Sequence, residues 1–203
     1  MLEIKKLHFS YGDHCVFKEF SFSLKQNESL CIKGKNGTGK TTLLKILCGL
    51  NYAPQLKCTI DGIDYSQNDL KKRVIYIPSS PNFYESLSLK EYVAWIKAMW
   101  KKEESFYSSV QKNLQALHLC VDEDKEISTY SLGMKYKLYF ATFLALEYPI
   151  LLLDEPFNSL DKDSRSAAIS LINEHIKRHQ GYCIFSSHVE DTIIQLSTKV
   201  LHI

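Results

Sequence analysis

The chain has 203 residues, enough for one domain, or one core with a subdomain, around a sizeable apolar centre. Its hydrophobic fraction of 45% and charged fraction of 24% match an ordinary globular protein and exclude a disordered one. A net charge of +2 gives no electrostatic footprint for nucleic acid, and no apolar run approaches the roughly 20 residues that span a bilayer.

The six cysteines, Cys15, Cys31, Cys48, Cys58, Cys120 and Cys183, form no CxxC or zinc-ligand spacing. Several lie in apolar runs, so they are expected as free buried thiols of a reducing cytosol. No charged-then-apolar leader opens the chain, so a signal peptide is not expected.

In chain order, MLEIKKLHF and FSFSL alternate apolar with polar and predict half-exposed strands. SLCIK predicts a shorter strand, and TTLLKILCGL a helix with Gly49 near its end. CTIDGIDY predicts a hairpin about Asp61-Gly62, and RVIYI a strand stopped by Pro78. The middle then changes character. Ser88 and Glu91 make a capping box, and Tyr92, Trp95, Ile96 and Met99 follow at helical spacing. The region from about Pro81 to Thr129 is expected to be all-helical. PILLLDE reads as a continuous apolar strand of the buried parallel kind. A helix is predicted from about Asp163 to Gln180, stopped by Gly181, before another buried strand in YCIFSS. Strands alternating with helices imply a parallel α/β sheet, here interrupted by a helical insert.

Between SLCIK and its following helix stands GKNGTGKTT, and Gly34-x-x-x-x-Gly39-Lys40-Thr41 fits the P-loop pattern completely. Glycines let backbone N–H groups turn inward around phosphate oxygens, and a helix beginning near Lys40 adds its positive dipole end. Lys40 is expected to reach the β- and γ-phosphates, and the Thr41 hydroxyl to hold Mg²⁺. Asp154 ends a buried strand, where its carboxylate can approach Mg²⁺ directly or through water. Glu155 follows at once. One carboxylate can order the metal while the other polarises water for attack on the γ-phosphate.

With GKNGTGKTT, YSLGM, ILLLDEPFNSLD and SSH in this order, the chain resembles the ATP-binding subunits of ABC transporters from Tyr11 to His188. The resemblance implies an α/β fold: a P-loop NTPase parallel-sheet core, an N-terminal antiparallel β subdomain and a helical insert subdomain. It implies one nucleotide-binding domain over residues 1–203, with residues 1–80 and 148–203 as core and β subdomain and about 81–147 as the helical subdomain. YSLGM stands where the family has its LSGGQ-type signature, keeping Ser131 and Gly133 and departing at Tyr130, Leu132 and Met134. The implied ATP contacts are Tyr11 on adenine, Gly34, Lys35, Asn36, Gly37, Thr38, Gly39, Lys40, Thr41 and Thr42 around the phosphates, and Ser131, Gly133 and the D-loop Asp161 from across a dimer. His188 stands at the family's switch position on the γ-phosphate, and with Lys40 and Glu155 makes the implied catalytic set. The metal set is Thr41 and Asp154. After VIYIP the family usually has Gln. Here Ser79 replaces it, shorter by roughly two bonds, so its oxygen is expected to reach Mg²⁺ only through a water.

The resemblance further implies ATP hydrolysis with Mg²⁺, and a second nucleotide-binding subunit, either an identical copy or a close relative. It also implies a separate transmembrane permease docked on the helical subdomain near Trp95 and Trp100, and a cytoplasmic place at the inner face of the membrane. Two alternatives stay open on the sequence: a regulatory or weakly active ABC-type subunit, given Ser79 and the altered signature, and a soluble ABC ATPase outside transport.

Overall fold

The alternating N-terminal segments form β1 (Leu2–Tyr11) and β2 (His14–Leu24), an antiparallel pair joined by a two-residue turn. The hairpin about Asp61-Gly62 adds β4 (Lys57–Ile60) and β5 (Ile63–Tyr65), completing a four-stranded antiparallel sheet in the order β2-β1-β4-β5. This computed structural model describes residues 1–203.

The short apolar strands build the second sheet. They are β3 (Ser29–Lys33), β6 (Val74–Ile77), β7 (Ile150–Asp154), β8 (Tyr182–Ser186) and β9 (Lys199–His202), all parallel, in the order β6-β7-β8-β3-β9. A strand's period of two sends alternate residues to opposite faces. Leu151, Leu153, Cys183 and Phe185 join one apolar cluster, while Ile150, Leu152, Tyr182 and Ile184 join the other. Both faces are therefore covered, which is why ILLLD and YCIFS carry no polar alternation. One face packs on α1 (Lys40–Leu47) and the antiparallel sheet, the other on the remaining long helices.

Those helices are α3 (Leu89–Met99), α4 (Ser105–Ala116), α5 (Leu132–Leu144) and α6 (Lys162–Arg178). A short α2 (Gln67–Leu70) precedes β6, and α7 (Glu190–Leu196) leads to β9; neither helix, nor β9, carries a periodicity long enough to be read in advance. The expected capping box at α3 is present, with Ser88 accepting from the Glu91 amide and Glu91 accepting from the Ser88 amide.

The α3 stripe divides. Tyr92, Val93 and Ile96 are buried, whereas Trp95 is 38% and Met99 55% exposed. Positions 92 and 96 are one turn apart over the core, and 95 and 99 fall on the neighbouring solvent face. Trp95 meets the Tyr84 ring edge-on at 5.1 Å, while Trp100 packs inward against Phe143. All six cysteines are free, but only Cys31, Cys58 and Cys183 are buried; Cys15 and Cys120 are exposed because β2 and the segment after α4 lie at the surface.

Candidate active site

Both acidic residues sit at the carboxyl end of β7, where a parallel sheet gathers its ligand groups. Beside them the chain leaves β3, turns through Gly34–Gly39 and enters α1. Gly39 stands at the head of α1 with φ 106°, in the left-handed region, and α1 has no side-chain cap. The first-turn amides thus have no competing side-chain acceptor and remain suited to an anion. Any side chain at Gly39 would also collide, since a Cβ there would come within 2.7 Å of Val16.

Asn36, Gly37, Gly39, Lys40, Thr41 and Thr42 line a cleft of about 240 Å³ together with Asp154 and Glu155. That is below the roughly 300–1,000 Å³ that encloses a whole small-molecule ligand. It suits a phosphate tail whose base lies outside. Gly34, Lys35 and Thr38 shape the loop from behind, with Thr38 Oγ1 donating to the Lys35 carbonyl at 3.0 Å. The Lys40 ammonium donates to the carbonyls of Gly34 at 2.8 Å and Lys35 at 3.1 Å. Its charge is held at the cleft by neutral acceptors, with no carboxylate bound to it, and is available to phosphate oxygens.

Asp154 is buried and hydrogen-bonded on both oxygens. Thr41 Oγ1 donates to Oδ2 at 2.8 Å and Ser186 Oγ to Oδ1 at 2.7 Å. The Tyr76 hydroxyl approaches Oδ2 at 3.4 Å. Burial first, and the Asp154 charge second, push the Tyr76 phenol far above its ordinary pKa, so it stays a neutral donor. The Thr41 hydroxyl and the Asp154 carboxylate offer two hard oxygen ligands at one point of the cleft, a donor set that fits Mg²⁺.

Glu155 is held in an unusual pose. Its φ is 48°, left-handed for a non-glycine residue, and its amide donates to Ser186 Oγ at 2.9 Å. One carboxylate oxygen, Oε1, lies 3.2 Å from His188 Nε2. The other, Oε2, is enclosed and has no partner in the protein. The Glu155 carboxylate thus stands at the phosphate cleft, where a carboxylate can serve as a base toward water.

Tyr11 ends β1, half-exposed, with its hydroxyl accepting from Asn51 Nδ2 at 2.6 Å and Phe9 against its edge. Ser79 lies exposed on the loop after β6 and does not line the cleft. Ser131, Gly133 and Asp161 are not cleft residues of their own chain either. Ser131 caps α5 by accepting from the Met134 amide, and Asp161 caps α6 by accepting from the Ser164 amide at 2.8 Å. The Ser164 amide and hydroxyl, with Lys137 beside them, hold the Asp161 carboxyl below the usual carboxylate range. Gly133 passes under the D-loop so closely that a Cβ would lie 2.9 Å from the Ser159 carbonyl oxygen.

Three residues that hold this site went unread in the sequence: Ser186, Tyr76 and Asn51. Ser186 had a signal, a hydroxyl at the end of a buried strand and the first residue of SSH. A larger, mostly apolar cavity of about 450 Å³, bounded by Leu89, Leu114 and Leu119, lies away from the cleft and offers none of its phosphate-binding groups.

The ABC transporter family model matches residues 17–158. A cytochrome c biogenesis ATP-binding export protein of Reclinomonas americana is 34% identical over 92% of this chain and 84% of its own length. The solved structure of an ATP-binding subunit of an ABC transporter superposes with a TM-score of 0.88 at 26% identity, over all of this chain and 85% of that one. A dimeric ATP-binding cassette in a post-hydrolysis state, bound to ADP and Pi, shares the fold at a TM-score of 0.82 and 18% identity, over all of this chain and 94% of that one. The phosphate loop, the strand-end carboxylates and these matches agree: the chain belongs to the ABC transporter family, as one of its ATP-binding and ATP-hydrolysing subunits.

Proposed function

We propose that two copies of the chain, or this chain and a close relative, close head to tail around two ATP molecules and so drive a separate membrane-spanning permease. The observation that carries this reading is the division of the site. One chain gathers Lys40, Thr41, Asp154, Glu155 and His188 at a single cleft, while its own Ser131 and Gly133 lie at the head of α5, outside that cleft. The head of α5, outside its own chain's cleft, is suited to a phosphate held by a second subunit, and that supports the reading.

On this reading Tyr11 stacks on adenine and the P-loop amides of residues 34–42 bracket the phosphates. Lys40 turns from the carbonyls of Gly34 and Lys35 to the β- and γ-phosphates. Thr41 and Asp154 hold Mg²⁺, which when bound neutralises charge developing on the phosphate oxygens. Glu155 takes a proton from the attacking water, while His188, beside its Oε1, reaches the γ-phosphate. Ser131 and Gly133 of the second subunit complete the clamp, and Asp161 fixes the D-loop between the two sites. Ser79 touches the metal at most through water. Residues 1–80 and 148–203 then act as the catalytic core with its β subdomain, and about 81–147 as a helical subdomain. The exposed Trp95 with Tyr84 gives that subdomain an apolar patch for the permease. No helix of the chain is long and apolar enough to cross a membrane. By likeness to the ATP-binding subunits of membrane transporters, the proposed place is the cytoplasmic side, held to the membrane's inner face by that permease.

Glu155→Gln tests the reading. It keeps every phosphate contact and removes the proton acceptor, so kcat is expected to fall by about 10²–10⁴-fold. ATP-bound dimers should accumulate, and light scattering with and without ATP reads this directly. A variant that stays monomeric with ATP and turns over at the parent rate overturns the proposal.

A further inference from the structure

We propose that Glu147, His175 and His179 form a binding site for a zinc-class transition-metal ion, at the end of the sheet opposite the ATP cleft. His175 and His179 are one turn apart near the end of α6 and so share a face. Glu147 lies just after α5, and its neighbour Tyr148 leads through Pro149 into β7. Asp154 closes the far end of that same strand, so the two sites are separate. One donor atom from each of the three residues lies within 4.8 Å of the others.

His175 carries the inference. Its side chain is fully buried. Nε2 sits 2.7 Å from the Tyr148 carbonyl oxygen. A carbonyl only accepts, so Nε2 carries the ring hydrogen and Nδ1 is left as a bare lone pair. Nδ1 is enclosed and has no hydrogen-bond partner. An imidazole whose one nitrogen is oriented by a backbone carbonyl while the other points an unused lone pair is the usual arrangement of a metal-ligating histidine.

The neighbours supply the remaining ligands. His179 Nε2 meets Glu147 Oε2, and the His175 and His179 rings are 4.5 Å apart at 43°, tilted rather than stacked. A plain ion pair between His179 and Glu147 would account for those two residues but leaves Nδ1 of His175 without a role. Two imidazole nitrogens and one carboxylate oxygen suit Zn²⁺ or Co²⁺ and do not suit Mg²⁺ or Ca²⁺. Tetrahedral ligands on bonds of about 2.0–2.1 Å stand roughly 3.3 Å apart. The donors must therefore draw together, and Glu147, exposed and held otherwise only by Arg178 at 3.5 Å, can supply most of that movement. The bound ion would tie the end of α5 to the end of α6, clear of the phosphate chemistry.

The test uses the full, untagged chain, stripped with chelator and free of nucleotide, titrated with Co²⁺. The expected result is one Co²⁺ per chain with tetrahedral d–d absorption, no sulfur-to-metal charge-transfer band, and displacement by Zn²⁺. Glu147→Gln, at an exposed position, and His179→Gln, at a partly buried one, should each weaken binding by at least the ~10–100-fold that loss of an outer hydrogen-bond partner already costs. Zn²⁺ should raise the melting temperature of the parent and not of either variant. Absence of a tetrahedral band, a band with thiolate character, or parent affinity in both variants overturns the site. Because neither variant touches the buried ring of His175, an unfolded His175→Asn chain would not spare the proposal.

Discussion

Ser186→Ala is the most informative single change the site offers. Ser186 is fully buried at the end of β8, in register with Asp154 on β7. Its hydroxyl donates to Asp154 Oδ1 at 2.7 Å and accepts from the Glu155 amide at 2.9 Å. Alanine removes both bonds and opens no room for water beside a side chain with no exposure. A hydrogen bond to a charged group contributes about 1.5–3 kcal/mol and a neutral one about 0.5–1.5 kcal/mol, so the expected destabilisation is about 2–4.5 kcal/mol. For a chain of this size each kcal/mol moves the melting temperature by about 2–4 °C, a shift that differential scanning calorimetry resolves easily. The kinetic consequence should be uneven. Lys40 and the loop amides do not touch Ser186, so ATP affinity should change little. The left-handed turn at Glu155 loses its anchor, so kcat should fall further than affinity. Steady-state hydrolysis at saturating ATP, beside equilibrium nucleotide binding, separates the two. Unchanged melting with unchanged kcat would mean that the Asp154–Glu155 corner is held by something other than this hydroxyl.

Two further outcomes follow from the same geometry. Lys40→Ala should abolish turnover and weaken ATP binding by about 10–150-fold, the equivalent of one charge-assisted hydrogen bond; equal affinity by titration calorimetry would remove Lys40 from the phosphate site. Ser79→Gln should raise kcat by about tenfold at most, one neutral hydrogen bond's worth, because the longer amide can extend from the loop after β6 toward Asp154; an unchanged or lower kcat would mean that Tyr76, already 3.4 Å from that carboxylate, fills the role.

The elements with strong periodicity were legible before the structure. Buried apolar runs such as ILLLD and YCIFS could only be strands covered on both faces, and the Ser88–Glu91 box marked the start of α3 to the residue. Shorter elements were not. The seven residues of α7 and the four of β9 are too few to display a period. β9 is a strand because Leu30 to Lys33 on β3 present it with a row of free backbone partners, a tertiary fact with no local signal. The two tryptophans expected at the docking surface divide for a related reason, Trp95 lying exposed and Trp100 packing inward on Phe143. Helical spacing allows Trp95 to lie beside Ile96, but only the position of α5 and the sheet decides which of two adjacent faces is covered.

The site divides along the same line. P-loop residues are contiguous, and their spacing carries the chemistry: glycines where backbone must turn, then a cation, then a hydroxyl. Asp154 and Glu155 were legible because an acidic pair ending an apolar strand has few structural uses. Ser186, Tyr76 and Asn51 lie far along the chain from the groups they hold, and any of them could be an ordinary polar residue. What gives Ser186 its place is register: β7 pairs with β8 so that Asp154 stands opposite it. A slip of one residue would turn the hydroxyl to the other face of the sheet. The Asp154–Ser186–Glu155 corner thus depends on strand pairing as much as on residue type. Mutations that disturb the β7–β8 register, even at Leu152 or Ile184 on the face toward α1, should therefore impair hydrolysis before they unfold the chain.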